Sequence, residues 1–129
     1  MRVLALDYGA ARTGVAVSDA TGTIALPLEV VEAAGAPAGL ERIREIVRER
    51  DVERVVVGLP LTLRGEQGEQ ARETEEFVRL LREALDTPVE TYDERFTTAL
   101  AARRAGGAPE DARAAAHLLD GYLEWATER

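Results

Sequence analysis

The stretch Val55-Val56-Val57, closed by Gly58 and Pro60, offers water no polar side. Alternate side chains of an extended segment point to opposite faces, so an unbroken run of β-branched apolar residues predicts a strand buried on both. Such a strand, predicted over 54–60, needs a covering layer above and below its sheet. That requirement points to an α/β architecture rather than a two-layer all-β one. The chain supplies the covers. Leu40, Ile43, Ile46 and Val47 recur at helical spacing and predict a helix near 38–50. Ala71, Thr74, Phe77, Val78, Leu81 and Leu85 form the inward stripe of a second. Ala112, Ala115, Ala116, Leu119, Tyr122, Leu123 and Ala126 give the last helix its buried face, with Pro109 suited to its first position.

Further strands are predicted over 2–8, 14–19, 23–31 and 89–93, the third carrying Pro27 and therefore reading as an edge. A short helix near 96–104, broken at 106–109, completes the order βββαβαβαα. Three strands joined by tight turns, followed by strands separated by helices, predict a mixed five-stranded sheet. Its first three strands run antiparallel, parallel strands are added behind them, and helices flank the whole. With 129 residues, one domain covering 1–129 is expected.

Composition narrows the setting. No apolar stretch approaches the ~20 residues of a spanning helix. The first strand follows the N-terminus with no cleavage site of signal-peptide type. Cysteine is absent, which excludes disulfides and thiolate metal sites. A cytoplasmic protein without a membrane partner is the expectation. The net charge of −8 speaks against a nonspecific nucleic-acid coat but not against a local basic patch. All 16 basic residues are arginine, whose planar fork meets phosphate bidentately.

In open α/β sheets, ligands bind outside the carboxyl ends of the strands. Asp7 ends the first strand there, and Glu94 follows the strand Val89–Asp93. Asp111 lies in the first turn of the last helix, on the side shared by Ala115. Three carboxylates from distant segments suit Mg2+ or Mn2+, which prefer oxygen ligands. Two such ions can activate water and stabilise a leaving oxygen in phosphodiester hydrolysis. Asp7, Glu94 and Asp111 are therefore the candidate catalytic and metal-holding residues. Gly9 would let backbone approach the substrate. Arg12, Arg64, Arg95, Thr97 and Thr98 are candidate phosphate contacts. Asp19 should lie at the opposite rim in a structural role, Asp120 in solvent, and the single histidine, His117, outside the chemistry. Neither HExxH, a P-loop nor GxGxxG is present.

Four blocks, "LALDYGAARTGVAVSD", "VVVGLPLTLRGEQGEQA", "YDERFTT" and "DARAAAHLLDGYLE", together resemble the YqgF (RuvX) family. Its members are described as Holliday-junction-resolvase-like proteins and as pre-16S rRNA nucleases. The resemblance spans nearly the whole chain in order. It implies an RNase H-like fold, a carboxylate-held Mg2+ or Mn2+ site, and by position the same three acids. The expected activity is metal-dependent endonucleolytic cleavage in ribosome biogenesis, at the 5′ end of pre-16S rRNA. Branched DNA is the alternative substrate, and the chain acts as a monomer or homodimer. Two rivals stand beside it. One is a phosphate-binding, ATPase-type module, because a strand–Asp–x–Gly hairpin also resembles the opening of the actin and sugar-kinase fold. The other is a non-catalytic nucleic-acid-binding maturation factor.

Overall fold

A computed structural model describes residues 1–60, 68–93 and 110–127. Five strands, β1 (Val3–Asp7), β2 (Arg12–Ser18), β3 (Ala25–Glu32), β4 (Arg54–Leu59) and β5 (Val89–Asp93), form one sheet in the order β3-β2-β1-β4-β5. The pairs β1–β2 and β2–β3 are antiparallel; β1–β4 and β4–β5 are parallel. The described helices are α1 (Pro37–Glu49), α2 (Glu69–Ala84) and α3 (Glu110–Thr127). The mixed five-stranded α/β sheet expected from the sequence is therefore present. The predicted helix near 96–104 and its break at 106–109 lie outside the described residues.

The triple valine behaves as its lack of polar alternation requires. Val55 and Val57 face α1 and α2, Val56 faces α3, and all three are fully buried. Each fully buried side chain of this size contributes about 1.5–3 kcal/mol.

The two faces are built from different sizes. On one, Leu4, Leu6, Val15 and Val17 meet Ile43, Ile46, Phe77 and Leu81. On the other, Ala5 and Ala16 meet Ala115, Ala116 and Leu119. Small residues on both sides of that second interface let α3 lie close to the strands. The predicted stripe of α3 is buried as far as Leu123, but Ala126 is exposed. Ala126 instead lines a cavity with Met1, Val3 and Arg54. Helical periodicity marks a face; it does not report how closely each position along that face is packed.

Pro27 sits on an edge strand, as its missing N–H dictates. The β2–β3 register shifts there: Val15 pairs with Glu29 and Ala16 with Pro27, leaving Leu28 as the extra residue of a bulge. Arg42 of α1 grips the same strand, its Nη2 2.7 Å and its Nε 3.0 Å from the two carboxylate oxygens of Glu29.

Asp19 follows β2 at the rim opposite Asp7 and organises the turn into β3. Its carboxylate accepts hydrogen bonds from the Thr21 hydroxyl at 2.6 Å and from the Thr23 and Ile24 N–H groups at 2.8 and 3.0 Å. These donors, the Thr21 hydroxyl first, lower its pKa to about 2. A depressed carboxylate adds stability above its unfolded pKa of about 4 and loses it as pH falls through the folded value. Asp19→Ala is expected to lower the thermal midpoint most above pH 4. The gap to the unsubstituted protein should close as pH falls toward 2, and a pH-independent gap would contradict this role.

Candidate functional site

The site begins with the pleat. Asp7 is the last residue of β1 and follows Val3 and Ala5 on the face toward α3. Its register partner across the antiparallel pair is Gly14. Directly opposed residues share a face, so Asp7 and Gly14 look the same way.

Gly14 then fixes where α3 starts. A Cβ at Gly14 would lie 1.8 Å from the carbonyl oxygen of Asp111 and 3.1 Å from the Ala112 nitrogen. No larger residue fits, and glycine inside a strand marks this kind of close backbone approach. The first turn of α3 is thereby seated on β2 beside the Asp7 position. Two acids more than a hundred residues apart in sequence are brought to one rim by the absence of a side chain.

Arg12 opens β2 at the same rim. Its Nε lies 3.4 Å from Asp111 Oδ2, with the two side chains 66% and 38% exposed. At that exposure such a pair is worth at most about 1 kcal/mol. Gly9 belongs to the turn itself, since a Cβ there would lie 2.4 Å from the Arg12 carbonyl oxygen. Beneath the turn the Thr13 side chain is fully buried, its hydroxyl in long contacts of 3.4 and 3.5 Å with the Gly9 backbone. Tyr8, on the opposite face from Asp7, stacks on Phe77 at 4.5 Å between ring centroids. The strand end that carries Asp7 is thus held from the α2 side as well.

The parallel strands finish at this rim too, with Leu59 of β4 paired to Asp93 of β5. Glu94 is the next residue in sequence. It lies outside the described residues, as do Arg64, Arg95, Thr97 and Thr98. Among the described residues no group of three or more acids or histidines is close enough to hold an ion. Of the candidate set, Asp7, Gly9, Arg12 and Asp111 are described and lie at this rim, with Arg12 and Asp111 in contact. The sequence reading missed Gly14, although a glycine between Thr13 and Val15 was the signal available. His117 sits six residues beyond Asp111 along α3, about 9 Å of helical rise away from the rim.

The far end of α3 is tied to the sheet by aromatic residues. The Tyr92 hydroxyl donates to the Gly121 carbonyl at 3.1 Å. Arg54 Nη1 donates to the Tyr122 hydroxyl at 3.1 Å, and that hydroxyl donates to Glu90. Burial, with the Glu90 hydrogen bond second, pushes the Tyr122 phenol above its ordinary pKa, keeping it a donor. The helix that carries Asp111 is therefore anchored at both ends.

This sheet and its covering helices form an RNase H-like, RuvC-like fold. T. thermophilus RuvC, solved in complex with a Holliday junction substrate, superposes with a TM-score of 0.63 over 98% of this chain and 96% of that one, at 22% identity. In sequence, residues 1–125 match the RuvX family, described as Holliday junction resolvase. A protein of Chloroflexus aurantiacus named "Putative pre-16S rRNA nuclease" is 44% identical over 131 residues, covering 95% of this chain and 86% of its own. A protein of the same name from Corynebacterium jeikeium is 39% identical over 133 residues, with the same coverage of each chain. The chain belongs to the RuvX family.

Gly14→Ala tests the seat of α3. The added methyl must displace helix backbone, so a loss of about 3 kcal/mol or more is expected, on the order of 10 °C in thermal midpoint. An unchanged midpoint would show that α3 does not rest on Gly14.

Proposed function

We propose that this protein is a metal-dependent endonuclease that hydrolyses phosphodiester bonds at the 5′ end of pre-16S rRNA during ribosome biogenesis. One observation carries the reading: Asp7 and the helix start bearing Asp111 meet on one face of the sheet, at the rim where β4 and β5 also end. Family membership and the names of the relatives support it. The donors are carboxylate oxygens, which suit the hard cations Mg2+ and Mn2+ and not a soft one. Asp7, Asp111 and Glu94 would hold the cation. When bound, such ions supply activation of water and stabilisation of the leaving oxygen.

The chain's own residues do the rest. Asp7 is presented from a strand buried by Leu4 and Leu6, so its backbone does not drift. Asp111 is fixed by the contact at Gly14. Arg12, exposed at the same rim, would neutralise a substrate phosphate, with Arg64, Arg95, Thr97 and Thr98 as further candidate contacts. Gly9 keeps the intervening turn low. Such a protein works in the cytoplasm, and no described helix is long and apolar enough to cross a membrane.

Branched DNA is the second reading, favoured by the RuvC-like fold and the family's description. Resolution of a four-way junction needs two symmetric incisions and hence a homodimer. A gel assay with Mn2+ or Mg2+ separates the two, offering a pre-16S 5′ leader and a four-way junction side by side. Preferential cleavage of the leader is expected. Asp7→Asn should lower the rate by more than about 100-fold, while its thermal midpoint without metal stays close to that of the unsubstituted protein. Saturating Mn2+ should raise the midpoint of the unsubstituted protein and not that of Asp7→Asn. Full cleavage by Asp7→Asn would remove the mechanism. Metal-dependent binding of RNA without cleavage would leave a maturation factor instead.

A further inference from the structure

The guanidinium of Arg12 rests on one of the two described carboxylates assigned above to the cation. Its Nε is 3.4 Å from Asp111 Oδ2. A divalent ion on that oxygen would meet a fixed positive charge, and like charges at such a distance repel. The backbone of Arg12 is held in place, since its carbonyl packs against Gly9 and the residue pairs with Glu32 of β3. Its side chain is 66% exposed and not enclosed. The charged head can therefore leave Asp111 for another anion without disturbing the fold. A phosphodiester bound at the same rim is such an anion, and a planar guanidinium is well matched to it.

We propose that Arg12 couples cation binding to nucleic-acid binding: it competes with the cation for Asp111 until a substrate phosphate draws it away. The proposal rests on the carboxylate metal site of the preceding section. It adds that cation and nucleic acid bind cooperatively through this one residue. Coupling of this kind is reciprocal, so each ligand tightens the other by the same factor. Release of an exposed ion pair of at most about 1 kcal/mol corresponds to roughly two- to fivefold in affinity.

The test is a calorimetric Mn2+ titration of the full chain, alone and with a single-stranded oligonucleotide whose phosphorothioate linkages resist hydrolysis. Without oligonucleotide, Arg12→Gln is expected to bind Mn2+ about two- to fivefold more tightly than the unsubstituted protein. Arg12→Lys keeps the charge and should stay near the unsubstituted value. Adding oligonucleotide should tighten Mn2+ binding in the unsubstituted protein, and by a smaller factor in Arg12→Gln. Unchanged or weaker Mn2+ binding by a folded Arg12→Gln protein would overturn the coupling. Asp7→Asn and Asp111→Asn are titrated in parallel. Weakened Mn2+ binding in both sustains the metal site whatever Arg12 does. Mn2+ binding unaltered in both would overturn the site itself, and the coupling with it.

Discussion

The arrangement depends on one contact between backbones, the first turn of α3 lying against the bare Cα of Gly14. Everything at the rim is measured from that point. Gly14 pairs with Asp7 across β1 and β2, so the helix that reaches Gly14 also reaches the Asp7 position. A side chain at residue 14 would push the helix off β2, since its Cβ would overlap the Asp111 carbonyl oxygen. The seat of the helix that bears Asp111 is set by a residue with no functional group.

The two faces of the sheet divide the work accordingly. The α1/α2 face is filled by leucine, isoleucine, valine and phenylalanine. The α3 face gives up volume for closeness, with Ala5, Ala16, Ala112, Ala115 and Ala116 at the contact. Alanine costs little side-chain entropy on burial, which offsets part of the smaller hydrophobic gain. Rigidity at the carboxyl ends follows, because a helix lying this close leaves little room to rock. Metal-ligand sets tolerate about half an ångström of drift, so a close-seated helix is a suitable carrier for one.

Much of this was legible in the residues. The unalternating valines required a sheet covered on both sides, and Val55, Val56 and Val57 divide between the two faces as that argument demands. Pro27 marked an edge, and antiparallel order put Asp19 at the rim away from Asp7. The rest depended on contacts between distant segments, to which periodicity is blind. Which strand is central follows from pairing, and nothing local to β1 announces that it joins β2 to β4. Ala126 continues the apolar stripe of α3 but is exposed, bordering an open pocket with Val3 and Arg54 at the starts of β1 and β4. The ion pair of Arg12 with Asp111 needs a known seat for α3 before it can be imagined. Among the acids, the shared side of Asp111 and Ala115 was readable from helical spacing, whereas the landing point of that side at Gly14 was not.

The margin formed by β3 has a consequence for assembly. An open border of a sheet invites another strand to continue the hydrogen-bond ladder. Here the border lacks a donor at Pro27, swells at Leu28 and presents the Glu29 carboxylate already clasped by Arg42. Continuation of the ladder on that side is hindered at Pro27 and again at the Leu28 bulge. Two copies meeting in solution would have to embrace through side chains rather than zip together through main chains at β3.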